Sequence, residues 1–284
     1  MKQDATRVKR PSGRGAVPAR KVAYYELAGP VSRRFFFYRA NNETPGAPLL
    51  VSVHGIARNA AAHVYKLIDE AERLGLSIVA PLFEKDLYGQ YQQLVDTRSS
   101  VRADLALADI LDACARLSAA SVERVLLFGF SGGAQFAHRF TLAHPGRVAS
   151  AVLVSAGWYT FPDKSLAYPF GLGDEGKMAP PGLDLERALR VPQHVMVGEL
   201  DIERDKSLRQ GDWLDHVQGA TRLERARRWV EAMSRASTPL PGAVAPTFEI
   251  LPGVAHSFVD AVETAFLPRR VCDRFAADAD LAII

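Results

Sequence analysis

The chain has 284 residues, 48% of them hydrophobic, with 35 Lys and Arg against 32 Asp and Glu and only two cysteines. That length and apolar content suit one large α/β domain with a full core, and the two distant cysteines exclude a disulfide framework. The formal charge of +3 belongs to the start of the chain: residues 1–21 carry seven basic side chains and one acidic one, which leaves 28 basic and 31 acidic residues for the rest.

Residues 1–21 have almost no apolar side chains and read as a disordered basic tail. No apolar stretch follows their charges, so they do not form a secretory signal, and no run in the chain is long enough to span a membrane. The expectation is a cytoplasmic protein with neither a nucleic acid nor a membrane as partner. Strands are predicted near 22–27 and 33–40, as an antiparallel start to the sheet. Ser32-Arg33-Arg34-Phe35-Phe36 has the look of a twin-arginine export signal, but Asn41, Asn42 and Glu43 stand where its apolar stretch would be, so it reads as an edge strand. Pro48–Val53 is a buried-type strand leading into His54-Gly55-Ile56. A helix from about Ala60 to Leu74 and a strand at Ser77–Ala80 follow. Residues 81–98 are irregular, and Val101, Leu105, Ala108 and Leu111 then mark one face of a helix.

The next segment carries the chemistry. Arg124–Phe130 is an apolar strand that runs into Gly129-x-Ser131-x-Gly133, and Ala134, Phe136, Ala137, Phe140 and Leu142 continue as a buried helix stopped by His144-Pro145-Gly146. A serine hydroxyl is a poor nucleophile unless a sharp turn presents it beside a base and near amide donors, and strand–turn–helix with small neighbours does this. After a strand at 148–154 comes a stretch rich in Gly and Pro up to Leu183, which reads as a small lid over about 157–183. Trp158, Tyr159 and Phe161 open it. They either wall the pocket of the nucleophile or pack the lid against the body.

Val191–Val197 is a strand ending in Gly198-Glu199-Leu200-Asp201, and Thr247–Leu251 is another, ending in Pro252-Gly253-Val254-Ala255-His256. Between them, Thr221-x-x-Glu224 is a capping box opening a helix whose inner face is Leu223, Ala226, Val230 and Met233, with its arginines as a solvated face. Cys114 and Cys272 fall in separate helices as lone buried thiols. Of the seven histidines, His256 is the best base. His63, His138 and His194 fall inside elements, His144 precedes a helix stop, and His216, in a polar loop, is the weaker alternative. The acid is Asp201, with Glu199, Glu203 and Asp205 close by in the same loop. The order Ser131, Asp201, His256, each on a loop after a strand, is that of a serine hydrolase triad. The N–H groups of Ile56 and Gly132 are the expected oxyanion donors. No Cys/His spacing suits a metal and no Gly-rich loop suits a phosphate, so neither a metal nor a cofactor is expected.

On these motifs residues 22–284 resemble an alpha/beta-hydrolase. More narrowly, His54-Gly55-Ile56-Ala57-Arg58-Asn59, the Ser131 motif and Ser155-Ala156-Gly157-Trp158-Tyr159-Thr160 are similar to small poly(3-hydroxybutyrate) depolymerase-like esterases. The resemblance implies a mostly parallel, eight-stranded-type sheet with helices on both faces and hydrolysis of a small or oligomeric carboxylic ester. A thioesterase or peptidase/amidase with the same triad, or a non-catalytic binding protein of this fold, are the other readings. Acyl chain length and oligomeric state stay open.

Overall fold

The computed structural model describes residues 21–173, 180 and 182–281, so the basic tail lies outside it except for Lys21, as do 174–179 and 181 of the expected lid. Eight strands form one sheet: β1 (Val22–Leu27), β2 (Arg33–Tyr38), β3 (Pro48–Val53), β4 (Ile78–Leu82), β5 (Ser121–Phe130), β6 (Val148–Val154), β7 (Gln193–Gly198) and β8 (Thr247–Leu251). Their order across the sheet is β1-β2-β4-β3-β5-β6-β7-β8. β2 runs antiparallel to both β1 and β4, and every other pairing is parallel.

The central strands are near-continuous apolar runs because both faces of the sheet are covered. Alternation sorts their side chains. Leu49, Val51, Val53, Leu127, Leu153 and Val195 enter one core, with Leu107 of α2 (Ala103–Cys114), Phe136 of α3 (Gly132–Ala143) and Trp229 of α6 (Arg222–Ser237). Leu50, Phe128, Val152 and Met196 enter the other, with Val64 of α1 (Ala60–Leu74), Phe258 of α7 (Phe258–Ala265) and Val271 of α8 (Leu267–Leu281). Two short helices, α4 (Leu185–Ala188) and α5 (Asp212–Gln218), lie in the connections around β7. Cys114 and Cys272 are buried and unbridged. Among the described residues no helix is long and apolar enough to cross a membrane.

Three expectations are corrected. Arg33–Tyr38 is not an edge strand: β1 covers its outer side, and Phe35 and Phe37 are wholly buried. The basic pair at its start is held by Asp109 and Glu84, so charge there marks ion pairs rather than a free edge. His216 sits in α5, not in a loop. The arginines of α6 are not all a solvated face, since Arg222 and Arg225 are buried and ion-paired.

Candidate active site

The end of β5 and the start of α3 meet at Ser131, whose backbone is at φ 54° and ψ −113°. That conformation is unfavourable for a residue with a side chain and costs on the order of 1–2 kcal/mol. Flanking contacts hold it. The Ser131 N–H donates to Val154 O at 2.8 Å, and the Gln135 N–H donates to Ser131 O at 3.1 Å. The motif glycines are required by close backbone approach: a Cβ on Gly133 would lie 1.9 Å from Val53 O, and one on Gly129 would lie 2.2 Å from Gly133 O. The helix therefore packs directly on the sheet, with the serine at its N-terminus.

His256 follows β8 by five residues, and its ring stacks on Phe130 with centroids 5.5 Å apart. The next residue, Ser257, caps α7 by accepting from the Asp260 N–H, which ties the loop down on its far side. His256 Nε2 is 3.0 Å from Ser131 Oγ, and Nδ1 is 2.8 Å from Asp201 Oδ2. A carboxylate only accepts, so Nδ1 carries the proton and Nε2 is left free to accept from the serine hydroxyl.

Asp201 closes a turn after β7, its N–H donating to Gly198 O at 3.1 Å, and it is 1% exposed. Its second oxygen, Oδ1, accepts from Arg222 Nη1 at 3.2 Å. Arg222 Nη2 donates to Ser207 Oγ at 2.6 Å and to Asp205 Oδ1 at 3.2 Å. Burial pushes the Asp205 carboxyl up, but the Ser207 hydroxyl and Arg222 outweigh it and hold it at about 2. Of the four candidate acids only Asp201 reaches His256. Glu199 is exposed and accepts from the Gly253 N–H, Glu203 is exposed, and Asp205 pairs with Arg222. Sequence reasoning missed Arg222. A signal existed: it is the first residue of α6, where a cation opposes the helix dipole and needs an acidic partner.

The loop after β3 lies against the same serine. A Cβ on Gly55 would touch Ser131 Cβ at 3.4 Å, and one on Gly132 would fall 3.4 Å from Ile56 N. His54 shapes this loop. Its Nδ1 donates to Gly55 O at 2.8 Å, its Nε2 accepts from the Phe83 N–H at 3.0 Å, and burial pulls its pKa down to about 4, so it is a neutral brace. Tyr91 fastens the other side by donating to His54 O at 2.8 Å.

Four further histidines have partners elsewhere. His63 stacks on Phe258 at 4.1 Å, His138 accepts from the Thr160 N–H, and His144 and His194 meet Asp104 and Asp278. Trp158 and Tyr159 are both packed. Arg139 lies over the Trp158 ring at 4.1 Å, and Phe170 is 4.9 Å from it. Tyr159 is wholly buried, stacked on Trp229 at 4.9 Å, and the Gln218 side chain bonds both its N–H and its carbonyl.

No protein-family model and no curated sequence matches the chain. Solved structures do. A poly(aspartic acid) hydrolase from Sphingomonas sp. KT-1 is 22% identical with a TM-score of 0.76, over 89% of this chain and 99% of that one. A poly(3-hydroxybutyrate) depolymerase from Bordetella parapertussis is 25% identical with a TM-score of 0.68, over 85% and 88%. An S-formylglutathione hydrolase from Agrobacterium tumefaciens is 15% identical with a TM-score of 0.58, over 90% and 94%. The topology, these likenesses and the hydrogen-bonded Ser131, His256 and Asp201 together show an α/β-hydrolase fold carrying the triad of a serine hydrolase.

Proposed function

We propose that the protein hydrolyses carboxylic esters. The observation that carries the reading is the unbroken line from Ser131 Oγ through His256 to Asp201, with both links at hydrogen-bond length. In this reading Ser131 attacks the ester carbonyl as His256 Nε2 takes its proton, and Asp201 holds the ring and offsets the imidazolium charge. The N–H groups of Ile56 and Gly132 receive the oxyanion. Ile56 N lies 3.4 Å from the point a Cβ on Gly132 would occupy, which favours this pair, and removing one such donor typically costs about 10²–10³ in rate. His256 then returns its proton to the leaving alkoxide, and water, activated by the same ring, releases the acid. Trp158 and Tyr159, on the connection after β6, are assigned to the side of the acyl pocket, Trp158 as wall and Tyr159 as its backing.

Among the names of its structural relatives, the poly(3-hydroxybutyrate) depolymerase accords with the motif resemblance around Ser131, and we place the chain among depolymerase-like esterases. A cytoplasmic site accords with two buried, unbridged thiols. The test is a panel of p-nitrophenyl esters of increasing acyl length, run beside a thioester and an unactivated peptide. The reading expects ester turnover that Ser131→Ala lowers by about 10³-fold or more. Peptide turnover exceeding ester turnover would replace it with an amidase.

A further inference from the structure

Beside Ile56 a cavity of about 630 Å³ opens between the loop after β3 and the segment 85–99. Ile56 and Arg58 form one wall, and Lys85, Gln92, Asp96 and Arg98 form the other. The charges in these walls are not equally spent. Asp96 chelates Arg98 through Nε at 3.1 Å and Nη2 at 2.8 Å, so that pair is internally neutral.

Arg58 is different. Its backbone takes a φ of 57°, which turns the side chain back across the loop, so that Nη1 donates to Ile56 O at 2.8 Å and the guanidinium lies over the Tyr91 ring at 5.5 Å. No described carboxylate pairs with it, and its buried Nε has no partner. Lys85, which is exposed, likewise has no ion-pair partner among the described residues.

A further cation lies directly behind the wall. Arg139 of α3 is wholly buried and donates through Nη1 to Gln92 O at 2.6 Å. Its Nη2 has no partner and no described carboxylate pairs with it; burial, with Arg209 nearby, pulls its pKa down to about 10. Arg139 does not itself line the cavity and is also held by Thr160 Oγ1 and Gln135 O, but its charge adds to the positive field behind the wall. Against Arg58 and Lys85 the cavity wall offers one acid not tied to Arg98, Asp86, which is as solvent-exposed as Lys85. All of this adjoins Ile56, whose N–H is assigned to the oxyanion.

We propose that this cavity receives a carboxylate carried by the substrate, held by Arg58 and Lys85, so that the enzyme prefers acidic esters to neutral ones. The inference rests on the ester-hydrolase reading and adds the class of substrate. The reaction itself is unchanged: the C–O bond of the ester breaks, the carboxylate in the cavity takes no part in bond making, and water supplies the new oxygen. What it contributes is charge-paired binding at a fixed distance from the oxyanion.

Monomethyl adipate and dimethyl adipate share a backbone and differ in whether the second carboxyl is charged. Acetoxyacetate and its methyl ester make the same comparison with the charge on the alcohol side. Followed in a pH-stat at neutral pH, at least one acidic ester should exceed its masked partner by about tenfold in kcat/KM, mainly through KM, since a charge-assisted hydrogen bond contributes roughly that much. Lys85→Met should cut that preference about threefold or more, and Arg58→Met should cut it further; among the described residues no hydrogen bond or ion pair joins Lys85 to the loop after β3, so its variant keeps the test valid if Arg58→Met also disturbs that loop. Equal turnover of charged and masked esters, or a preference that survives both substitutions, would overturn the assignment while leaving the ester reading standing. Failure to hydrolyse any of the four esters would remove the ester reading and this inference with it.

Discussion

At the residue scale the central fact is that Asp201 has two partners and not one. His256 takes one oxygen and Arg222 takes the other, both away from water. A buried carboxylate with a single partner would be costly, and one free to turn would not hold the imidazole in one tautomer. Arg222 meets both requirements, and it acts through Asp201 without reaching the nucleophile. We expect Asp201→Asn to lower kcat by about 10²-fold or more, and Asp205→Asn and Glu199→Gln to cost less than about tenfold. Arg222→Met should lower kcat by about tenfold with little change in KM, and Arg222→Lys should recover part of the loss. Steady-state kinetics on variants shown to be folded by circular dichroism checks the series. A crippled Asp205→Asn beside an active Asp201→Asn would mean that another carboxylate orients the histidine. Sequence could narrow the acid to one loop, because chain order and strand ends are visible there. Its spacing after Gly198 ranks Asp201 first in that loop, but the contact that separates it from Asp205 is not local: Arg222 bonds both carboxylates, and only Asp201 reaches His256, 55 positions away.

At the element scale, α2 and α3 are tied by one buried carboxylate. Asp104, in the first turn of α2, receives Arg102 Nε at 2.8 Å and His144 Nε2 at 2.8 Å from the end of α3. Burial alone would raise its pKa, but the hydrogen bonds from Arg102 and His144 win and hold it at about 2. An unfolded aspartate titrates near about 3.9, so the stabilisation is fully present above that pH and is lost as the pH falls toward 2. Asp104→Asn should therefore destabilise the protein by about 3 kcal/mol at pH 7, because it leaves Arg102 without its partner, and by much less near pH 2.5. Urea denaturation of both proteins at the two pH values measures this. An equal difference at both would show that the carboxylate charge is not what joins the helices. Elements of this kind were legible where periodicity is strong: α1 and β8 fall where the apolar spacing predicts them. The edge reading of β2 rests on the polar Asn41, Asn42 and Glu43 that follow it, and these say nothing about the outer side that β1 covers. The His216 segment was misread as a loop because α5 has only two buried side chains, Leu214 and Gln218, and so no apolar stripe.

At the scale of the whole molecule, the sheet order explains why residues 70 and 55 positions apart can meet. β5, β6, β7 and β8 are parallel neighbours, so the loops after β5, β7 and β8 emerge at one end and bring Ser131, Asp201 and His256 together there. β3 lies on the other side of β5 and adds Ile56 from the same end. α3 packs in the core on one face of the sheet and α7 and α8 in the core on the other, so the site is supported from both cores. This arrangement was legible as a whole because strand-end loops in fixed chain order imply it. The cavity beside Ile56 was not, since its walls come from an irregular segment, 85–99, whose path no periodicity describes.

All of this chemistry depends on Ser131 being a nucleophile activated by His256. Mass-spectrometric mapping of the protein after exposure to a fluorophosphonate tests this most directly. A single adduct on Ser131 is expected, forming at least about 10²-fold more slowly in His256→Ala. An adduct on another serine, or one that forms on Ser131 at an undiminished rate without His256, would contradict it.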